Sequence, residues 1–211
     1  MRTKVIIDQD ELLIAKALLK KEFKRVYNWV VGDIRKCCRF KKDGTYKRGA
    51  GSLIGAFILW CCAVDYFGGL LIGIKKYRNW KGELKKEDYS SKQHVKAFVE
   101  TYLKKYGEYD AEKVYRLRCS LVHNYTLSGY EVVEHDLSKR SNHLTKDSKN
   151  RYWLHLGSAI EDLEKAVEDY MNDVKKHDNF KINAYEYYTV HPLLKPMDLK
   201  DFASLSEPLV A

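Results

Sequence analysis

Between Leu53 and Ile74 the chain is almost wholly apolar, with Asp65 as its single charged residue. Such a run must be hidden from water, and at about 20 residues it is long enough either to cross a bilayer or to form the central helix of a core. Glycines at 55, 68, 69 and 73, basic flanks (Lys47 and Arg48; Lys75, Lys76 and Arg78) and the lack of a second such segment favour burial by neighbouring helices or a second subunit over membrane insertion. Asp65 is then the expensive residue, because an ionised carboxylate in apolar surroundings needs a cation or water. Arg118 or Arg116 is the expected partner, able in return to have its guanidinium oriented; the other reading is a solvent-facing Asp where the helix breaks at Gly68.

The remaining pattern is helical. Leu12, Ala15, Leu19, Phe23, Val26, Val30 and Ile34 recur at spacings of three and four, predicting a first helix from about Asp8 to Arg35, with Asp8 and Glu11 as a capping box. A basic loop follows, where Arg39, Lys41, Lys42, Lys47 and Arg48 form a candidate phosphate-binding surface. The apolar helix occupies about 52–66, breaking or continuing at Gly68-Gly69, and a lysine-rich connector runs to Lys86. Val95, Phe98, Val99, Tyr102 and Tyr106 place a third helix over 91–106. A fourth starts with Asp110 as N-cap, carries Val114, Leu117 and Leu121, and ends near His123-Asn124. After Tyr125 the period changes, and β-prone residues at 126–135 and 152–156 predict a small β element. Ser158 as N-cap with Glu161 opens a last helix that reaches about His177. The expectation is an all-α bundle of about five helices with a small β insertion: one domain over 1–177, then an extended C-terminal tail over 178–211 containing Pro192, Pro196 and Pro208.

Several function classes drop out. No glycine stretch is followed by the Lys-Ser/Thr of a nucleotide loop. The five cysteines lie as Cys37-Cys38, Cys61-Cys62 and Cys119, without zinc spacing; the adjacent pairs, inside apolar helical stretches, read as buried reduced thiols, and a reducing compartment is expected. Acidic residues Asp8, Asp10 and Glu11 interrupt any secretory leader near the N-terminus, so a cytoplasmic protein is expected. The formal net charge of +9 attracts polyanions, nucleic acid first among them.

One segment concentrates groups that suit RNA chemistry: Tyr115, Arg116, Arg118, Cys119, His123, Asn124 and Tyr125. RNA cleavage without a metal needs a group titrating near neutrality to move a proton and a fixed cation to hold the phosphate. His123 and Arg118 supply those types, with Arg116, Asn124 and Asp65 as supporting residues. On a regular helix Arg118 and His123 point about 140° apart. A helix ending at His123 would free its ring to turn toward the arginine, whereas Arg116, seven residues before, shares its face. A histidine at a helix C-terminus also stabilises the dipole, and a helical arginine also snorkels to solvent.

Here the sequence resembles the HEPN superfamily, helical bundles marked by an arginine followed after four to six residues by a histidine near a helix end. The local pattern is similar to the R-x-x-x-x-H-x-Y form of toxins paired with a minimal nucleotidyltransferase, with Arg118, His123 and Tyr125 in the three places. The resemblance implies a homodimeric, metal-independent and cofactor-free endoribonuclease whose 2′-hydroxyl attack leaves a 2′,3′-cyclic phosphate. It also implies an antitoxin of nucleotidyltransferase type that silences the toxin by modifying Tyr125. The residue after the arginine, usually polar in the family, is Cys119 here, which leaves room for an inert module that binds RNA or protein.

Overall fold

Leu53–Ile72 forms a helix, α2, because Ser52 caps it: the Ser52 side chain accepts from Gly55 N at 2.9 Å. Neither Gly68 nor Gly69 breaks it, and both have a packing reason to be glycine. A Cβ on Gly68 would stand 2.1 Å from the carbonyl oxygen of His94, and one on Gly69 would stand 2.1 Å from the ring of Tyr187. The missing side chains let two neighbouring segments approach closely. Gly73, at a φ of 70°, ends the helix.

The computed structural model describes residues 9–38, 52–128, 130, 132–134 and 137–192. Among them are α1 (Gln9–Cys38), α2, the hairpin strands β1 (Ile74–Arg78) and β2 (Leu84–Asp88), α3 (Ser91–Thr101) and α4 (Ala111–Asn124). There follow β3 (Val132–Glu134), β4 (Trp153–His155), α5 (Leu156–Lys176) and α6 (Asp178–Val190). The all-α expectation holds at the level of a helical bundle, and the small β element after α4 is present as parallel β3 and β4, with Val132 opposite Trp153. The expected phosphate-binding loop at 39–48 and the Asp8 capping box lie outside the described residues.

α2 is the centre, packing against α1, α3, α4, α5 and α6. Phe57, Trp60 and Phe67 are fully buried, each worth roughly 1.5–3 kcal/mol by removal from water. The Trp60 indole also donates to the Ala159 carbonyl at 2.8 Å, tying α2 to α5. This is the one helix among the described residues long and apolar enough to cross a membrane, and it serves as the bundle's core helix.

Three expectations need correction. The segment after His177 is not an extended tail at its start: residues 178–190 form α6, which belongs to the bundle. Asn183 donates to the Leu71 carbonyl at 2.9 Å, Tyr187 covers Gly69, and Tyr66 donates to the His191 carbonyl at 3.3 Å. The lysine-rich connector is an antiparallel hairpin whose turn is closed by Asn79, its Oδ1 accepting from Lys81 N at 3.0 Å and Glu83 N at 2.9 Å. Finally, α5 begins at Leu156, with buried His155 rather than Ser158 as its cap; His155 Nδ1 accepts from Ser158 N at 3.1 Å.

Candidate functional site

Asp110 starts α4 by accepting from Lys113 N at 3.0 Å, and that backbone hydrogen bond holds its carboxyl below the usual carboxylate range. Val114, Leu117 and Leu121 then bury one side of the helix. Arg118, beside Leu117, is carried to the edge of that buried side, where its Nη2 lies 3.2 Å from Asp65 Oδ2. The expected Asp65 pairing is made with Arg118 and not with Arg116. Arg116 is a surface residue instead, 3.5 Å from Glu112 one turn back.

Asp65 has a second partner that periodicity did not reveal. His94 Nδ1 lies 3.0 Å from Asp65 Oδ1, and the close approach of α3 over Gly68 puts it there. The side chains of Arg118, Asp65 and His94 are 22%, 14% and 6% exposed. Beyond Asp65, Arg118 Nε and His94 Nε2 are buried without a hydrogen-bond partner among the described residues. A carboxylate only accepts, so Nδ1 of His94 is the donor in this contact. The only sequence signal for His94 is its place among the apolar positions Val95, Phe98 and Val99 on the buried side of α3.

Two thiols of α2, Cys61 and Cys62, feel the charges of this ion pair. Cys61 and Cys38 are buried as expected, but Cys62 is exposed, because it faces outward from α2 where the other helices leave it uncovered. Full burial pushes the Cys61 thiol well up, and the partial desolvation that neighbouring side chains impose on Cys62 raises it too, against the pull of Arg118, so both rest as neutral thiols. The neighbouring Cys119 side chain raises the Tyr115 phenol.

His123, Asn124 and Tyr125 are exposed. α4 ends at Asn124, within the expected His123-Asn124 terminus, but His123 is still part of the helix, so its ring is not freed to swing toward Arg118. The helix continues through Asn124 because Tyr125 N bonds to Leu121 O at 3.3 Å and Thr126 N to Ser120 O at 3.2 Å. Within one chain, Arg118 therefore points into the α2–α3 junction while His123 points about 140° away to solvent. Arg116 is the cation on the face of His123, about 20° off and roughly 10.5 Å back along the axis. Tyr125 closes the helix in the left-handed conformation, at φ 55° and ψ 28°, and the residue is 73% exposed. The loop beyond is pinned by Ser120, whose Oγ accepts from Ser128 N at 3.0 Å.

A second polar cluster lies at the other end of α4. The Tyr109 hydroxyl donates to Asp162 Oδ2 at 3.0 Å and lies 3.0 Å from His143 Nε2, while His143 Nδ1 accepts from His155 N at 3.1 Å. Each group has its partner, so the cluster reads as an anchor joining the 137–146 segment to α5. Beside it is an open cavity of about 660 Å³ lined by Lys92, Lys96, Glu100, Lys104 and Tyr109, with charges of both signs. Among the described residues no group of three or more His, Cys, Asp or Glu side chains is placed to hold a metal ion. No protein-family model, curated protein or solved structure matches this chain.

Proposed function

We propose that this chain is a toxin-like endoribonuclease of the HEPN kind, cytoplasmic, acting on RNA as a symmetric homodimer without metal or cofactor. The observation that carries this reading is the Asp65–Arg118 pair: a carboxylate on the core helix fixes an arginine on the same helix whose end presents His123 to solvent. In the proposed reaction the 2′-hydroxyl attacks the adjacent phosphorus and the bond to the 5′-oxygen breaks. A 2′,3′-cyclic phosphate and a 5′-hydroxyl result. One His123 takes the 2′-hydroxyl proton, its symmetry mate protonates the departing oxygen, and arginine holds the phosphate; acid–base help of this type is typically worth about 10² to 10⁴ in rate.

Two chains are needed because the two side chains diverge on one helix, and a two-fold axis near the end of α4 would set the His123 of each against the other. The uncovered side of α2 is compatible with such a contact. There Leu59 and Cys62 join Trp29, Val30 and Tyr66 around a shallow apolar cleft of about 370 Å³. Tyr125, exposed and held in a left-handed turn, is the proposed site at which a nucleotidyltransferase-type antitoxin would attach nucleotide.

The same ion pair also favours a second reading, an inert HEPN-like module binding RNA or protein, since the Arg118 charge is already met by Asp65. Cleavage of a mixed RNA substrate by purified protein in excess chelator separates the two. The nuclease reading expects cleavage that His123→Ala abolishes and Arg118→Ala reduces by a hundredfold or more, on the order of one lost phosphate-stabilising donor. No chelator-resistant cleavage, or cleavage indifferent to His123→Ala, would refute it.

A further inference from the structure

The β1–β2 hairpin contributes only Ile74 to the bundle's core. Apart from Ile74, every residue of both strands is exposed, although an isolated two-stranded ribbon is marginal in water. Its segment 74–88 carries six cations (Lys75, Lys76, Arg78, Lys81, Lys85 and Lys86) against three carboxylates. The carboxylates are all engaged: Glu87 with Lys75 at 3.4 Å, Glu83 with Lys85 at 3.3 Å, and Asp88 with His191 at 3.0 Å.

The two faces differ. Lys75, Tyr77, Lys85 and Glu87 share one, where Lys75 pairs with Glu87 and Lys85 with Glu83 of the turn. On the other, Lys76 stands directly opposite Lys86, with Arg78 one pair further toward the turn opposite exposed Leu84. Like charges set directly across a strand pair are unfavourable. Lys76 is met by Glu186, but Arg78, Lys81 and Lys86 have no carboxylate partner among the described residues. At the turn stands Trp80, 89% exposed, with Lys81 Nζ 4.9 Å from its ring centre. One ring face thus carries a cation and the other is open.

We propose that this hairpin is a single-stranded RNA contact, with the open face of Trp80 stacking on a base and Arg78, Lys81 and Lys86 meeting the phosphates on either side. A row of unneutralised cations leading to a bare aromatic ring is the pairing that sequence-tolerant single-strand binding uses. A purely acidic partner would need the charges but would leave the ring unused. The inference deepens the nuclease reading by assigning where substrate is gripped, and it rests on RNA being the ligand, not on cleavage.

The test is fluorescence anisotropy of a labelled single-stranded RNA oligonucleotide on the full chain, with His123→Ala as background so that no substrate is consumed. Trp80→Ala should weaken binding about tenfold, and Trp80→Phe should restore most of it. Lys86→Ala should weaken binding and flatten the slope of log affinity against log salt by about 0.7, one phosphate contact on a single strand. Unchanged melting temperatures would show that the exposed substitutions leave the bundle intact. Equal RNA affinity across all variants would overturn the proposal, as would losses confined to anionic vesicles or to polyglutamate. Hairpin-dependent binding in a chain that never cleaves would sink the nuclease reading and leave this one standing.

Discussion

The Nη2 of Arg118 lies 3.2 Å from Oδ2 of Asp65, joining the helix that carries the R-x-x-x-x-H segment to the core helix of the bundle. Removing Asp65 leaves the mostly buried Arg118 charge uncompensated and removing Arg118 leaves Asp65 with His94 alone, whereas removing both charges leaves mainly a packing defect. Asp65→Asn is therefore expected to lower stability by about 1–3 kcal/mol, toward the lower end because Arg118 retains some water. A double-mutant cycle with Arg118→Met should recover part of that loss in urea denaturation. Strict additivity of the two single changes would show that the pair is not coupled. If the pair positions the guanidinium for phosphate, Asp65→Asn should also reduce chelator-resistant cleavage with little change in KM.

His94 reaches Asp65 only because α3 rides directly over Gly68. Gly68→Ala would drive a methyl into the His94 carbonyl, which is backbone and cannot turn aside. Overpacking of this kind typically costs about 1–3 kcal/mol. The expected outcome is a lower denaturation midpoint together with a larger loss of RNA cleavage than the stability change explains. A Gly68→Ala protein with wild-type stability would mean that α3 sits differently on α2.

Tyr125 occupies a backbone conformation that glycine adopts freely and other L-residues avoid, at about 1–2 kcal/mol. Its side chain is mostly in water, so little packing offsets the strain. Tyr125→Gly should raise stability by about 1 kcal/mol, while Tyr125→Ala, which keeps the strain, should not. A melting temperature that falls with Tyr125→Gly would show that the phenol makes contacts worth more than the turn costs. A stabilising glycine variant that loses nucleotide modification would explain why tyrosine stands at this place.

What the sequence made legible follows from where each residue's partner lies. Val95, Phe98, Val99 and Tyr102 lie one helical turn apart, so local periodicity suffices for α3, as Asp110 suffices for the start of α4. The Asp65–Arg118 pair was legible as a need, since a carboxylate in an apolar run requires a cation, but only the fold selects Arg118 over Arg116. His94 was missed because its meeting with Asp65 depends on the tertiary close approach at Gly68. The hairpin shows no alternation because both of its faces meet water. In α6, Tyr185, Tyr187 and Tyr188 blur the apolar period, and Pro192 just beyond suggested extended chain. The proposed two-fold pairing of His123 would involve a second chain, which periodicity within one cannot register.

Asp110 gives a pH test whose sign is fixed by its depressed pKa. Its carboxylate is stabilised in the folded state first by the Lys113 backbone N–H, a bond that exists only when α4 is formed. A group with a folded pKa below its unfolded value, about 3.9 for Asp, contributes stability that is complete above that value and is lost as pH falls through the folded pKa. Asp110→Ala should therefore cost about 1 kcal/mol at pH 7, the usual worth of an N-cap. The gap between wild type and variant should narrow as pH is lowered below about 4. Asp110→Asn, which caps without a titrating group, should track wild type near neutrality and lose less on acidification. A deficit in Asp110→Ala that stays constant down to pH 2, measured by thermal denaturation across that range, would mean the side chain acts through packing and not through its charge.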